Sequence, residues 1–115
     1  MVASITNLGR SGLYDWMIQR ISAVVLALYT LFILGFLIAS PDLQYAQWQD
    51  LFSQTWMKVF SLAALISLCA HAWVGMWTVS TDYLKAAGIR FAFQFVCAAF
   101  LFTYLVWGID ILWGV

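Results

Sequence analysis

Three uncharged apolar runs constrain this chain more than any other feature. Residues 21–39 hold no charged side chain in 19, residues 59–81 hold none in 23 apart from the single histidine, His71, and residues 91–109 again hold none in 19. A helix needs about 20 mostly apolar residues to cross the hydrocarbon of a bilayer. Backbone in lipid must satisfy its own hydrogen bonds, so each run is predicted to be a transmembrane α-helix. The expected fold is all-α and integral to the membrane. It is a single domain over residues 1–115, an up-down-up bundle of three helices with spans at about 21–39, 59–81 and 91–109.

The rest of the composition agrees. The chain is 65% hydrophobic and 9% charged, whereas soluble domains carry roughly 25% charged residues. With 115 residues it cannot enclose a large core alone, so membrane lipid and partner chains are expected to cover most of its surface. Net charge is zero, which leaves no basic footprint for nucleic acid. Cys69 and Cys97 fall inside apolar runs without metal-ligand spacing. They read as packing thiols, and iron–sulfur chemistry is expected in another chain. The first apolar run starts late, is too long for an h-region and has no small-residue cleavage site, so no cleaved signal peptide is expected.

Basic residues in the short loops set the expected orientation. Arg10, Arg20, Lys85 and Arg90 lie on one side and Lys58 alone on the other, which places the N-terminus and the second loop in the cytoplasm and the C-terminus outside. Trp16, Trp56 and Trp113 sit near span ends, where amphipathic rings favour the interface. Residues 1–19, with Gly9, Gly12, Tyr14 and Trp16, suit an irregular segment on the cytoplasmic surface. Ser40-Pro41-Asp42 reads as the start of a short interfacial helix, with Ser40 as its N-cap.

His71 lies 12 residues after Val59 and 10 before Thr81, about 15 Å from either end at the helical rise. An ionisable side chain at that depth points to function. At about 100° per residue, Phe60, Ala64, Ser67, His71, Gly75, Thr78 and Asp82 share one stripe, with Trp73, Met76 and Trp77 opposite. Small residues around an inward imidazole leave room for something flat, and both packing and ligand-binding readings point the stripe at a partner. Three roles stay open for such a group: haem axial ligand, proton carrier and helix-packing residue. As the chain has one histidine, bis-histidine haem ligation would require the second from another polypeptide. Arg20, just before the first span, suits carboxylates through its forked donors. Tyr83 offers a phenolic donor where the second span ends, with Asp82 beside it.

The run His71-Ala72-Trp73-Val74-Gly75-Met76-Trp77, followed by Thr81-Asp82-Tyr83-Leu84-Lys85, resembles the small hydrophobic membrane anchor of bacterial succinate dehydrogenase, the respiratory succinate:quinone oxidoreductase. The N-terminal Gly9-Arg10-Ser11-Gly12-Leu13-Tyr14-Asp15-Trp16 with Arg20, and the ending Trp113-Gly114-Val115, extend the likeness over nearly the whole chain. The resemblance implies a complex in the bacterial inner membrane. A flavoprotein oxidises succinate, an iron–sulfur subunit carries electrons, and a second three-helix anchor completes the bundle and shares one haem b. It also implies roles for four residues: His71 as axial ligand to the haem iron, Arg20 at a haem propionate, Tyr83 hydrogen-bonded to ubiquinone, and Asp82 near it. The chain has no dinucleotide fingerprint and no cluster-ligand set, so catalysis alone is not expected of it. The alternatives are the anchor of a quinol:fumarate reductase, a small proton-coupled transporter using His71 and Asp110, and a non-catalytic scaffold.

Overall fold

The computed structural model describes residues 12–115. Three long helices and one short one follow in chain order: α1 over Gly12–Ala39, α2 over Tyr45–Ser53, α3 over Thr55–Tyr83 and α4 over Ala87–Trp113. The three long helices are each long and apolar enough to cross a membrane, as the uncharged runs predict. All three outrun the predicted spans. The 29 residues of α3 measure about 44 Å at the helical rise, against roughly 30 Å of hydrocarbon. An uncharged run marks only the hydrocarbon crossing; the backbone ladder continues into the headgroups until a cap or turn stops it.

Two local expectations need correction. The irregular segment expected over residues 1–19 is helical from Gly12 onward, with Asp15 in the first turn of α1, where a carboxylate complements the helix dipole. Residues 1–11, including Gly9 and Arg10, lie outside the described residues. Ser40 does not cap α2: its N–H bonds back to the Leu37 carbonyl at 3.3 Å and closes α1. Pro41 then prevents continuation, and the cap of α2 is Gln44, whose N–H donates to Gln47 Oε1 at 3.0 Å. The amide three residues ahead supplies the reciprocal half of a capping box.

α3 is the central element, packed on α1 on one side and on α4 on the other. Both pairings are antiparallel. As contacts on α1 advance through Ser22, Tyr29 and Phe32, their partners on α3 recede through His71, Ser61 and Trp56. Ser80 and Cys69 of α3 likewise meet Gln94 and Leu101 of α4. Aromatic edges seal the first seam, with Tyr29 against Phe60 and Phe32 against Phe60 and Trp56. α2 folds back over the end of the bundle, where Trp48 meets Phe36 of α1. Few apolar side chains are buried: among the described residues Met57, Ala64, Val74 and Leu112 form the core. Large apolar side chains such as Leu31, Ile38, Phe91, Phe102 and Trp107 stand exposed along the helices, as befits a chain solvated by lipid and partners.

Candidate functional site

Several polar side chains in the spans meet across helices, since an unpaired polar group is costly in hydrocarbon, while Thr78 and Thr103 bond back to carbonyls of their own helices and Trp77 Nε1 is buried without a partner among the described residues. Tyr29 and Ser61 join hydroxyls at 2.8 Å, and Gln94 donates to the fully buried Ser80 at 2.8 Å. Between these pairs lies His71. Its Nδ1 is 3.0 Å from the hydroxyl of Ser22 on α1, and Ser22 is buried. The histidine itself is half-buried. With Nδ1 turned to α1, Nε2 lies across the ring, and among the described residues it has no hydrogen-bond partner.

Ser22 is the residue that sequence reasoning missed. The stripe through Phe60 and His71 is expected to face a partner, whether a packed helix or a ligand; Phe60 packs edge-on against Tyr29 and His71 bonds Ser22, so part of the stripe meets the chain's own first helix. The signal was present, since Ser22 is a hydroxyl just inside an otherwise apolar run, but pairing it with His71 required the antiparallel register. The open part of the stripe lies one turn on, at Gly75, where an added Cβ would meet nothing within 4 Å. The opposite, aromatic side turns to α4: Trp73 and Trp77 border a hollow of about 310 Å³ with Phe91, Gln94, Phe95 and Ala98.

The other predicted site residues lie apart from His71. Arg20 is exposed, and two residues before Ser22 puts it about 200° round α1 from the seam. Its guanidinium lies over the Trp16 ring, 5.4 Å from the centroid. Stacking occupies the guanidinium face and leaves its in-plane N–H donors free for a carboxylate. Asp82 is exposed near the end of α3, eleven residues past His71 and so within about 20° of the same face. Tyr83, the last residue of α3, is 78% exposed and stands about 18 Å along the axis from His71. The turn beyond it is closed by Leu84 N–H donating to Ser80 O at 2.9 Å.

Asp110 is not brought toward His71. It lies near the C-terminal end of α4, exposed and beside Phe102, Thr103, Val106 and Trp107. Gly108, about 200° round the helix from it, is the residue that meets α3, where an added Cβ would run into Leu65. A proton path from His71 to Asp110 therefore has no support within the bundle. Lys58 sits at the same end, over the Trp113 ring at 6.0 Å.

The donor set fits one axial position of a haem. A single imidazole is held by one nitrogen, has its second nitrogen without a partner among the described residues, and borders the space at Gly75. Among the described residues, no three His, Cys, Asp or Glu side chains come together as a metal site. The chain can thus offer one nitrogen ligand, and the other would have to come from elsewhere.

Residues 4–106 match the family described as Succinate dehydrogenase/Fumarate reductase transmembrane subunit. The chain is 40% identical over 109 residues to the succinate dehydrogenase hydrophobic membrane anchor subunit of Coxiella burnetii, covering 95% of each chain. It is 31% identical over 90 residues to the protein of the same name from Rickettsia bellii, covering 76% of this chain and 70% of that one. For the Rickettsia felis protein the figures are 28% over 94 residues, 76% and 73%.

Proposed function

The chain belongs to the family of succinate dehydrogenase/fumarate reductase transmembrane subunits and acts as a multi-pass membrane anchor, and we propose that in this role it ligates a haem b through His71 and forms part of the ubiquinone-reduction site. The observation that carries the proposal is the set of His71: one nitrogen tied to Ser22 at 3.0 Å, the other without a partner among the described residues, in mid-helix. A second three-helix anchor would share the haem and cover the exposed apolar faces. An iron–sulfur subunit and a flavoprotein complete the complex, which sits in the bacterial inner membrane.

When bound, the haem supplies a one-electron store beside the quinone site. This chain's residues do the holding. His71 would hold the iron through Nε2. The N–H donors of Arg20 would pair with a propionate, since charge-assisted forks are the strong form of that contact. At the end of α3, the phenol of Tyr83 donates to a quinone carbonyl. That oxygen becomes more basic as electrons arrive, so the bond strengthens along the reaction and speeds it. Asp82, exposed beside Tyr83, orients the pocket or passes protons from the cytoplasmic side. Relatives bearing the succinate dehydrogenase name favour succinate oxidation over fumarate reduction.

The test is spectroscopic and uses the assembled complex. His71→Ala should abolish or displace the low-spin haem signal in electron paramagnetic resonance and visible spectra, and Arg20→Leu should lower haem occupancy or shift its midpoint potential. Wild-type spectra in His71→Ala would defeat the assignment of the ligand; wild-type occupancy and potential in Arg20→Leu would leave Arg20 an interfacial cation stacked on Trp16.

A further inference from the structure

Ser22 has one proton and two polar neighbours. Its hydroxyl lies 3.2 Å from the Gln19 carbonyl, one turn back on its own helix, and 3.0 Å from His71 Nδ1 on α3. It is 4% exposed, so water has little access to share the work. A carbonyl can only accept, whereas a hydroxyl both donates and accepts. If Ser22 donates to Gln19, its lone pair faces Nδ1, and Nδ1 must carry the ring proton. Both contacts are then hydrogen bonds, and Nε2 holds a free lone pair. In the reverse arrangement the hydroxyl donates to Nδ1, the contact with Gln19 sets two acceptors side by side, and the ring proton moves to Nε2, where a metal could not be ligated. In a low-dielectric seam the arrangement that serves both contacts wins.

We infer that Ser22 is the positioning residue of His71: by donating to Gln19 and accepting from Nδ1–H it fixes the tautomer and plane of the imidazole and sets how strongly Nε2 donates. The inference rests on the reading of His71 as an axial ligand. A histidine whose second nitrogen donates to an oxygen is a more basic ligand, and such outer contacts tune the metal. Stronger donation stabilises ferric over ferrous iron. Loss of the Ser22 hydroxyl should therefore raise the midpoint potential of the haem. Ser22 also ties α1 to α3 at this height, so the first helix, which touches no iron, takes part in setting the electronic character of the site.

The experiment uses the full complex carrying Ser22→Ala, Ser22→Val or Ser22→Thr, beside His71→Ala. Valine and threonine match in shape and differ in the hydroxyl, which separates hydrogen bonding from packing. The readouts are haem content, a visible redox titration and low-temperature electron paramagnetic resonance. Alanine and valine should raise the midpoint and shift the low-spin signal, or lower haem content, while threonine restores wild-type values. Unchanged midpoint and signal in alanine and valine, or equal loss in all three variants, overturns the role of the hydroxyl. Loss of the signal in His71→Ala with wild-type behaviour in the Ser22 series sinks this inference alone. Persistence of the signal in His71→Ala sinks the ligand reading and this one with it.

Discussion

At the scale of single residues, some polar groups of the long helices are served inside the chain and others are presented outward. Ser22, Ser61 and Ser80 are buried and bonded across helices. Tyr83 is mostly exposed at the end of α3, offered to whatever packs there. Its exposure makes Tyr83→Phe a clean change: the ring and its interfacial anchoring stay while the donor goes. Assembly, haem content and succinate oxidation with an artificial dye should stay near wild type. Quinone reduction should fall about two- to twelvefold, the loss of a neutral hydrogen bond worth roughly 0.5–1.5 kcal/mol. Steady-state assays with dye and with a quinone, run in parallel, decide it. A wild-type quinone rate at unchanged apparent affinity would make Tyr83 an aromatic anchor and nothing more.

At the scale of helices, the α1–α3 seam combines hydrogen bonds with ring packing, and magnitudes say which matters more. The Tyr29–Ser61 bond belongs to a class averaging about 0.6 kcal/mol in membrane bundles, partly because a freed serine can bond back to its own helix. The Tyr29 ring against Phe60 contributes through packing, and an edge-to-face aromatic pair is worth about 0.5–1.5 kcal/mol beyond its contact area. Tyr29→Phe should therefore be nearly silent in the thermal stability of the detergent-solubilised complex, while Tyr29→Ala lowers it clearly. Equal losses in the two variants would mean that the hydroxyl, and not the ring, holds the seam. On the other side of α3, Gly108 admits the Leu65 side chain, and beside them Tyr29, Ser61 and Leu112 border an apolar hollow of about 330 Å³.

At the scale of the whole molecule, the basic residues segregate to one end. Arg20 near the start of α1, Lys85 in the last loop and Arg90 early in α4 share the end bearing Tyr83, while Lys58 sits at the other with Trp113. From the positive-inside rule we propose that the Tyr83 end faces the cytoplasm and the C-terminus lies outside. A C-terminal alkaline phosphatase fusion should be active and a fluorescent-protein fusion dark; the opposite pattern would invert the proposed quinone site. Rows of exposed large apolar side chains on all three long helices, against so small a core, fit an anchor that reaches its final burial only in lipid and against other subunits.

The number of long helices and their membrane character were legible in the sequence, because they follow from additive properties: the length of an uncharged run and its hydropathy. Helix ends were less legible. Ser40 and Gln44 both carry capping chemistry, and the choice turned on Ser40 N–H returning to Leu37 to close α1, a competition between neighbouring helices that a local pattern does not rank. The family likeness pointed to His71, Arg20, Asp82 and Tyr83. Only the tertiary structure decided that half of the His71 stripe faces α1, that Asp110 turns away from it, and that Ser22 is its partner. A pairing 49 residues apart depends on the register of two antiparallel helices. A shift of one residue turns each side chain about 100° from its neighbour, so the contact exists only once packing has set that register.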